Sequence, residues 1–118
     1  MKLKTFQDFL VWQKAHQFVL RIYKITKLFP YEEKFGLTSQ LRRSASSITA
    51  NIAEGYKKSR KDFVRFLDIS QGSLEESKNY LILAKDLEYL QESDFHNLFE
   101  LSSEVGRMVF ALQEKLRL

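Results

Sequence analysis

The chain of 118 residues has no cysteine, one proline and four glycines, and each shortage excludes a class of protein. Without cysteine there is no disulfide framework and no thiolate site for zinc or an iron–sulfur cluster, so we expect a cytoplasmic protein. So few turn-forming residues disfavour many short strands and favour long helices. No apolar run approaches the roughly 18 residues of a membrane span, and the N-terminus lacks a signal-peptide pattern, so we expect no membrane partner.

Positive charge is concentrated in the first half of the chain. Residues 1–65 carry 14 Lys and Arg against 5 Asp and Glu, a net +9, whereas residues 66–118 carry 5 against 10, a net −5. This asymmetry predicts either a surface that faces a polyanion or electrostatic matching between copies of the chain.

Apolar residues recur at three- and four-residue spacing, which is typical of amphipathic helices. The first predicted helix covers about residues 8–29, because the residue before Pro30 is disfavoured in a helix. The second covers about residues 32–55. Glu32 and Glu33 suit its positive end, and Gly55 is placed to end it in a left-handed cap.

The third helix is predicted to begin after a linker of about four residues, at a capping box formed by Ser59 and Asp62. Its hydrophobic phase continues across Gly72, so we predict one helix to about Leu90, and then a fourth helix capped by Ser93. Short links imply antiparallel neighbours. The sequence therefore predicts an all-α fold, an antiparallel up-down-up-down four-helix bundle, with residues 1–118 as a single domain.

The second helix contains many small residues, which reduces the volume it can offer to a core. We interpret the pattern as a seam where the second and third helices approach closely, with Gly72 allowing close backbone contact. The small or short polar residues assigned to it are Ser44, Ser47, Ala50 and Asn51 on the second helix, and Ser70, Gly72, Ser73 and Ser77 on the third.

The sequence offers no pattern typical of catalysis or of cofactor binding. A di-iron carboxylate centre in a bundle needs Glu three residues before a ligating His, but Gln13 and Ser93 precede His16 and His96. There is no P-loop, paired-histidine zinc motif or nucleophile elbow. We expect no enzyme activity, no catalytic or metal site and no cofactor. A metal-binding or small-molecule-binding bundle is the third hypothesis, behind the two given below.

The strongest polar cluster is KKSRKDFVR, residues 57–65, between the second and third helices. Its cations form what we call the basic corner: Lys57, Lys58, Arg60, Lys61 and Arg65. Such density attracts phosphate chains through long-range charge and counterion release, without base-specific geometry. The alternative is a solvated loop and first helical turn, and the sequence leaves both interpretations open.

Arg42 and Arg43 lie about 20 Å along the second helix from the basic corner. Because they are adjacent, at most one can lie on an exposed ridge. They could contact a ligand or a second subunit, or pair with Glu75, Glu76 or Glu104. We favour pairing, because the guanidinium fork of arginine suits carboxylates.

Four motifs resemble a known family: VWQxA at residues 11–15, FPxxExxGLxxQLRR at 29–43, SIxxNIAEG at 47–55 and FLxIxxGS at 66–73. They resemble the bacterial four-helix-bundle family of 23S rRNA intervening sequences, over nearly the whole chain. The chain is also similar to accessory variability proteins of diversity-generating retroelements. Thr49 stands where the family commonly has proline, and Tyr56-Lys57-Lys58 replaces its usual Gly-Arg.

The resemblance implies a ring of five copies and, from the retroelement proteins, binding to nucleic acid and to a reverse transcriptase. Our leading hypothesis is a non-enzymatic homo-oligomer, a pentamer by resemblance, that binds RNA or DNA through basic residues. The alternative is a protein-interaction scaffold or a reverse-transcriptase accessory protein without direct sequence-specific recognition of nucleic acid.

Overall fold

A computed structural model of the chain describes residues 4–118. The helices are α1 (Leu10–Thr26), α2 (Leu37–Gly55), α3 (Arg60–Asp86) and α4 (Glu92–Arg117), and short 3-10 turns at Phe6–Asp8 and Tyr31–Glu33 precede α1 and α2. The helices form an up-down-up-down bundle of 44 × 24 × 21 Å. The predicted all-α fold is confirmed. Residues 1–3, with the Lys2 counted in the positive half, lie outside the described residues.

One apolar face of each helix is turned into a common core. Its apolar members that are almost completely buried and largest in volume are Phe18, Ile22, Leu41, Ile48, Ile52, Leu67, Leu74, Leu81, Val105 and Val109. These residues follow the three- and four-residue spacing of the sequence, so the predicted amphipathic helices are confirmed. Within the part of the chain that is described, no helix combines the length and apolarity that a bilayer span requires.

The first helix begins two residues later than predicted, because a 3-10 turn with its own cap precedes it. Asp8 Oδ2 accepts hydrogen bonds from the backbone N–H groups of Thr5 at 3.0 Å and Lys4 at 2.8 Å. These hydrogen bonds lower the pKa of the Asp8 carboxyl from its usual 3.8, and the bond from Thr5 has the larger effect. Phe9 is then extended, and α1 starts at Leu10.

The second helix begins at Leu37 rather than near Glu32. Glu33 still satisfies its positive end, because Glu33 Oε1 accepts a hydrogen bond from the Leu37 backbone N–H at 3.0 Å. Glu33 Oε2 accepts from the Tyr89 hydroxyl at 3.0 Å, and this hydrogen bond raises the pKa of Tyr89 above its ordinary value. Glu33 therefore joins the α1–α2 connection to the α3–α4 connection.

Two glycine predictions are wrong, and for opposite reasons. Gly55 was expected to adopt a left-handed cap, but no glycine among residues 4–118 has positive φ. A Cβ at Gly55 would instead lie 2.7 Å from Phe66 Cβ and 2.9 Å from Phe63 Cδ1, so close approach of α3 requires the glycine. Gly72 was expected to allow close approach, yet a Cβ there would meet nothing within 4 Å.

The third helix ends at Asp86, before the predicted Leu90, through a left-handed residue that is not glycine. Glu88 has φ 65°, its N–H donates to the Lys85 carbonyl oxygen at 2.9 Å, and the Tyr89 N–H donates to the Ala84 carbonyl oxygen at 2.9 Å. This is the bonding pattern of a Schellman motif.

The fourth helix begins at Glu92, with Gln91 at the N-cap position. The predicted Ser93 cap is therefore wrong. Gln91 makes no side-chain capping bond, and the Phe95 N–H donates to the Gln91 carbonyl oxygen at 2.9 Å, which closes the first turn.

Small side chains bring α2 and α3 together, as predicted. The hydroxyl hydrogen bonds of this α2–α3 seam join Ser44 to Ser77 at 2.8 Å, Ser73 to Ser47 at 2.9 Å, and Ser70 to the Ile48 carbonyl oxygen at 2.9 Å. The hydroxyls satisfy one another and the backbone, which lets polar groups be buried at little cost. Ala50 and Gly72 are exposed and lie outside the seam, contrary to the prediction.

Candidate nucleic-acid interface

The basic corner is built on the connection between α2 and α3. The linker Tyr56–Ser59 has the predicted length, and Ser59 Oγ accepts a hydrogen bond from the Asp62 backbone N–H at 3.2 Å to start α3. The ring of Phe9 packs edge-on against Tyr56 and Phe63, with ring centroids 5.5 and 5.9 Å apart. The aromatic side chains therefore anchor the inner side of the corner, and the cations occupy the outer side.

All five cations of the basic corner are exposed. Arg65 Nη1 lies 3.1 Å from Asp62 Oδ1, an exposed pair of the kind that contributes little to stability. Among residues 4–118, no carboxylate lies within 4 Å of the other four cationic groups. Five cations against one paired carboxylate leave this surface strongly positive.

The C-terminal end of α4 extends the basic corner. A depression of about 500 Å³ lies between the start of α3 and the end of α4, with Arg60, Lys61, Arg65 and Arg117 among its lining residues. Arg117 Nη1 pairs with Glu114 Oε2 at 2.9 Å, so its positive charge is partly offset. Sequence reasoning missed Arg117 because the second half of the chain is acidic as a whole. The antiparallel order, which places the end of α4 beside the start of α3, was the available signal.

A buried amide holds α4 beside α3 next to this depression. Gln113 is 3% exposed, and its Nε2 donates to the Val64 carbonyl oxygen at 3.2 Å and to Asp68 Oδ1 at 2.6 Å. A buried amide with two partners fixes helix register, because any sliding of α4 would leave it unsatisfied. The position of Arg117 relative to Arg60 and Lys61 is therefore set by the fold.

Arg42 and Arg43 lie away from the basic corner, and they have different partners. Arg43 is exposed, pairs with Glu76, and its Nη2 donates to Gln40 Oε1 at 3.1 Å. The predicted ion pair is thus confirmed for Arg43.

Arg42 makes no ion pair with any described residue, and its side chain is half-buried. Its Nε donates to Thr26 Oγ1 at 2.8 Å, its Nη2 donates to the Tyr23 carbonyl oxygen at 3.3 Å, and its guanidinium stacks 4.7 Å from the Tyr23 ring centroid. It therefore fastens α2 to the end of α1. A subunit contact by Arg42 or Arg43 stays a prediction.

A second group of polar and aromatic side chains surrounds Arg42, at the end of the bundle opposite the basic corner. Tyr31 and Phe35 are 82% and 85% exposed, and the Lys34 ammonium lies 5.7 and 5.4 Å from their ring centroids. We call this the aromatic–cationic surface: Tyr23, Tyr31, Lys34, Phe35 and Arg42. Sequence reasoning missed it because exposed and buried aromatic residues look alike in a short connection.

The two histidines have separate surroundings. His16 stacks on Trp12 with ring centroids 4.7 Å apart, and His96 is exposed on α4. No group of three or more His, Cys, Asp or Glu side chains in residues 4–118 is arranged to hold a metal ion.

Comparison with known proteins gives one family and one fold. The model of the 23S rRNA-intervening sequence protein family matches residues 7–111. A 1.70 Å crystal structure of a protein with unknown function, from the S23 ribosomal protein family of Bacteroides thetaiotaomicron, is similar with a TM-score of 0.81. It is 27% identical, and the match covers 89% of this chain and 96% of that chain. A search of curated proteins found no match. The chain therefore belongs to the 23S rRNA-intervening sequence protein family.

Proposed function

We propose that the chain is a non-enzymatic, homo-oligomeric bundle that binds RNA or DNA through its basic corner. The observation that carries this proposal is the set of exposed cations in the α2–α3 linker and at the start of α3, of which only Arg65 has a carboxylate partner among residues 4–118. The depression lined by Arg60, Lys61 and Arg117 gives a phosphate chain a concave surface to follow. The family name refers to a genomic location, so the proposal depends on the charge and not on the name.

The chemistry of the corner favours the phosphate backbone over base edges. Its cationic side chains are long, exposed lysines and arginines. Cations placed this way gain affinity mainly by releasing counterions from phosphates. The N-terminus of α3 adds its positive dipole end to the same surface. The expected ligand is therefore a polyanion whose affinity falls steeply with salt.

The proposed homo-oligomer is supported by apolar side chains that a single chain leaves exposed. The number of copies, five, is what the family resemblance implies. These side chains are Leu10 and Leu20 on α1, Ile69, Ile82 and Leu83 on α3, and Phe110 on α4. Large exposed apolar groups are typical of contact surfaces. A second copy is the proposed occupant, because the basic first half and acidic second half give copies complementary charge.

Charge reversal at Lys57, Lys58 and Lys61 tests the binding. The triple change to glutamate should weaken affinity for a structured RNA or a DNA duplex at least about tenfold at low salt, and should reduce the salt slope by roughly 2 to 3. A matched control reverses three exposed cations elsewhere, Arg21, Lys24 and Arg107, with the same change in net charge. Binding titrations at several salt concentrations give both affinity and slope.

Light scattering on the same variants separates the two hypotheses. A nucleic-acid binder should lose affinity while its oligomer stays intact. A scaffold held together by charge matching, whether or not it serves a reverse transcriptase, should dissociate. If the unaltered protein fails to bind both RNA and DNA at low salt, the proposed function is wrong.

A further inference from the structure

The aromatic–cationic surface is chemically different from the other exposed apolar surfaces of the chain. Tyr23, Lys34, Phe35, Arg42 and Arg43 line a shallow depression of about 390 Å³, together with hydroxyl-bearing side chains of α2. The groove between α1 and α4 is instead lined mostly by apolar groups such as Leu10, Met108 and Leu112, with Asp8 and Lys115 as its charged members. Exposed rings with cations over their faces therefore distinguish this end of the bundle from that groove.

The rings of this surface lie beside cations and keep accessible faces. Lys34 lies over both Tyr31 and Phe35, and Arg42 stacks on Tyr23 while its hydrogen bonds hold α1 to α2. A cation on one ring face leaves the other face free for a planar group, since Tyr31 and Phe35 are more than four-fifths exposed. The Tyr23–Arg42 part of the surface is thus organised before any ligand arrives, which lowers the entropy cost of binding there.

The charge around these rings favours phosphates over a protein partner. Lys34 and Arg42 lie at its centre, and Lys27 follows the last turn of α1 nearby in the chain. Of the two acidic residues in the turn, Glu32 is exposed, whereas Glu33 is engaged with Tyr89 and the Leu37 N–H. Aromatic residues and arginine are enriched in the centres of protein–protein interfaces and lysine is depleted there, so Lys34 is the residue of this surface that favours a phosphate chain over a protein.

We infer that the aromatic–cationic surface binds single-stranded nucleic acid, by stacking unpaired bases on Tyr31 and Phe35 while Lys34 and Arg42 contact the phosphates. Rings combined with cations are how proteins bind single strands without reading sequence. This inference rests on the proposed nucleic-acid binding and adds that unpaired segments are preferred. The basic corner, at the other end of a bundle 44 Å long, would then hold a different part of the same nucleic acid.

The test compares two strands with the same phosphates, an oligothymidylate of about 12 nucleotides and an abasic strand of equal length. The unaltered protein should bind the base-bearing strand at least about fivefold more tightly, since stacking acts only on bases. The double variant Tyr31→Ala/Phe35→Ala should bind the two strands equally. Tyr31→Phe/Phe35→Tyr keeps both rings and should keep the preference.

The matched control is Leu28→Ala, which removes an exposed aliphatic side chain from the same connection between α1 and α2. It should leave the preference for bases unchanged, and circular dichroism should show all these variants equally helical. Equal binding of both strands by the unaltered protein would overturn the inference. An equal loss of preference in Leu28→Ala would also overturn it, because apolar area rather than stacking would then be responsible.

Three further outcomes separate this inference from its rivals. If the double variant dissociates the oligomer and keeps the preference for bases, the surface is a subunit contact and the inference is wrong. If duplex and both strands bind at low salt without any preference for bases, only this inference fails. If nothing binds at low salt, the proposed function itself fails.

Discussion

The α2–α3 seam and the α1–α4 contact join neighbouring helices of the same bundle in different ways. In the seam, Ser44 and Ser77 are fully buried and bonded to each other, and Gly55 admits the side chain of Phe66. The α1–α4 contact has a groove of about 480 Å³, lined by large side chains such as Phe9 and Met108. Small residues allow close approach, whereas large residues that meet at an open contact leave a groove.

The polar groups of the α2–α3 seam are buried, whereas those of the α1–α4 contact are partly exposed. The seam is crossed by buried hydroxyl bonds such as Ser70 to the Ile48 carbonyl oxygen, which have exact partners within the fold. The α1–α4 contact has an ion pair, Lys14 Nζ to Glu104 Oε2 at 3.6 Å, whose side chains are 35% and 44% exposed. A pair so exposed contributes at most about 1 kcal/mol. The seam should therefore tolerate change poorly, and the groove should tolerate it well.

The largest expected difference in the free energy of unfolding comes from adding side-chain volume to the α2–α3 seam and to the α1–α4 groove. Ser77→Leu should lower the free energy of unfolding by about 3 kcal/mol, because the extra methyl groups overfill a closed seam and remove the partner of Ser44. Ala111→Leu in the groove should change it by less than about 0.5 kcal/mol, since Ala111 is exposed. Denaturant unfolding at one dilute protein concentration measures both.

Ala50→Leu is the matched control for the seam. Ala50 belongs to the same run of small residues on α2 but is exposed, so it should behave like Ala111 and not like Ser77. Equal destabilisation by Ser77→Leu and Ala50→Leu would show that burial in the seam does not set the cost of the added volume, since leucine has a higher helix propensity than serine and propensity alone would favour Ser77→Leu.

Two glycines allow a subtler comparison, with effects of opposite sign. Gly55→Ala should destabilise the protein by about 1 to 2 kcal/mol, because overpacking against Phe66 exceeds the gain in helix propensity. Gly72→Ala should stabilise it by up to about 1 kcal/mol, because its methyl group meets open space in the middle of α3. Thermal unfolding would detect both shifts. A stabilised Gly55→Ala would mean that α3 moves away from α2 without cost.

The glycines also show which parts of the fold can be predicted from the sequence. Helix existence and buried faces follow from hydrophobic spacing, which is a local property. The Ser59 cap follows from another local pattern, a serine with an acidic residue three positions later. Whether a glycine serves backbone conformation or packing depends on what lies opposite it. The sequence therefore misassigned Gly55 and Gly72. The end of α3 was missed because Glu88, not glycine, adopts the left-handed conformation.

The candidate site also has a part that the local sequence predicts and a part that only the tertiary structure reveals. The basic corner is a contiguous run of sequence, so its density of charge was visible directly. Arg117 joins it only through the antiparallel packing of α4 on α3, and Tyr31 joins Tyr23 only through the α1–α2 connection. These are tertiary arrangements. The pairing of Arg43 with Glu76 was one of three pairings that the sequence suggested, with Glu75, Glu76 or Glu104. Charge complementarity limits the candidate partners of an arginine to carboxylates before the fold is known.

The smallest expected effect concerns Asp8, at the rim of the α1–α4 groove. Its hydrogen bonds to the Thr5 and Lys4 N–H groups hold its pKa below 3.8, so the stability it contributes is present above that pH and is lost as the pH falls through the lowered value. Asp8→Asn should therefore speed amide hydrogen exchange at Lys4 and Thr5 at neutral pH, and the difference from the unaltered protein should vanish in acid. Amides of the α2–α3 seam should exchange equally in both proteins at every pH, because Asp8 bonds only to the backbone N–H groups of Lys4 and Thr5 and to no group of the seam. Faster exchange in the seam would show that the α2–α3 seam and the α1–α4 contact unfold as one unit. The two contacts would then differ in packing but not in local stability.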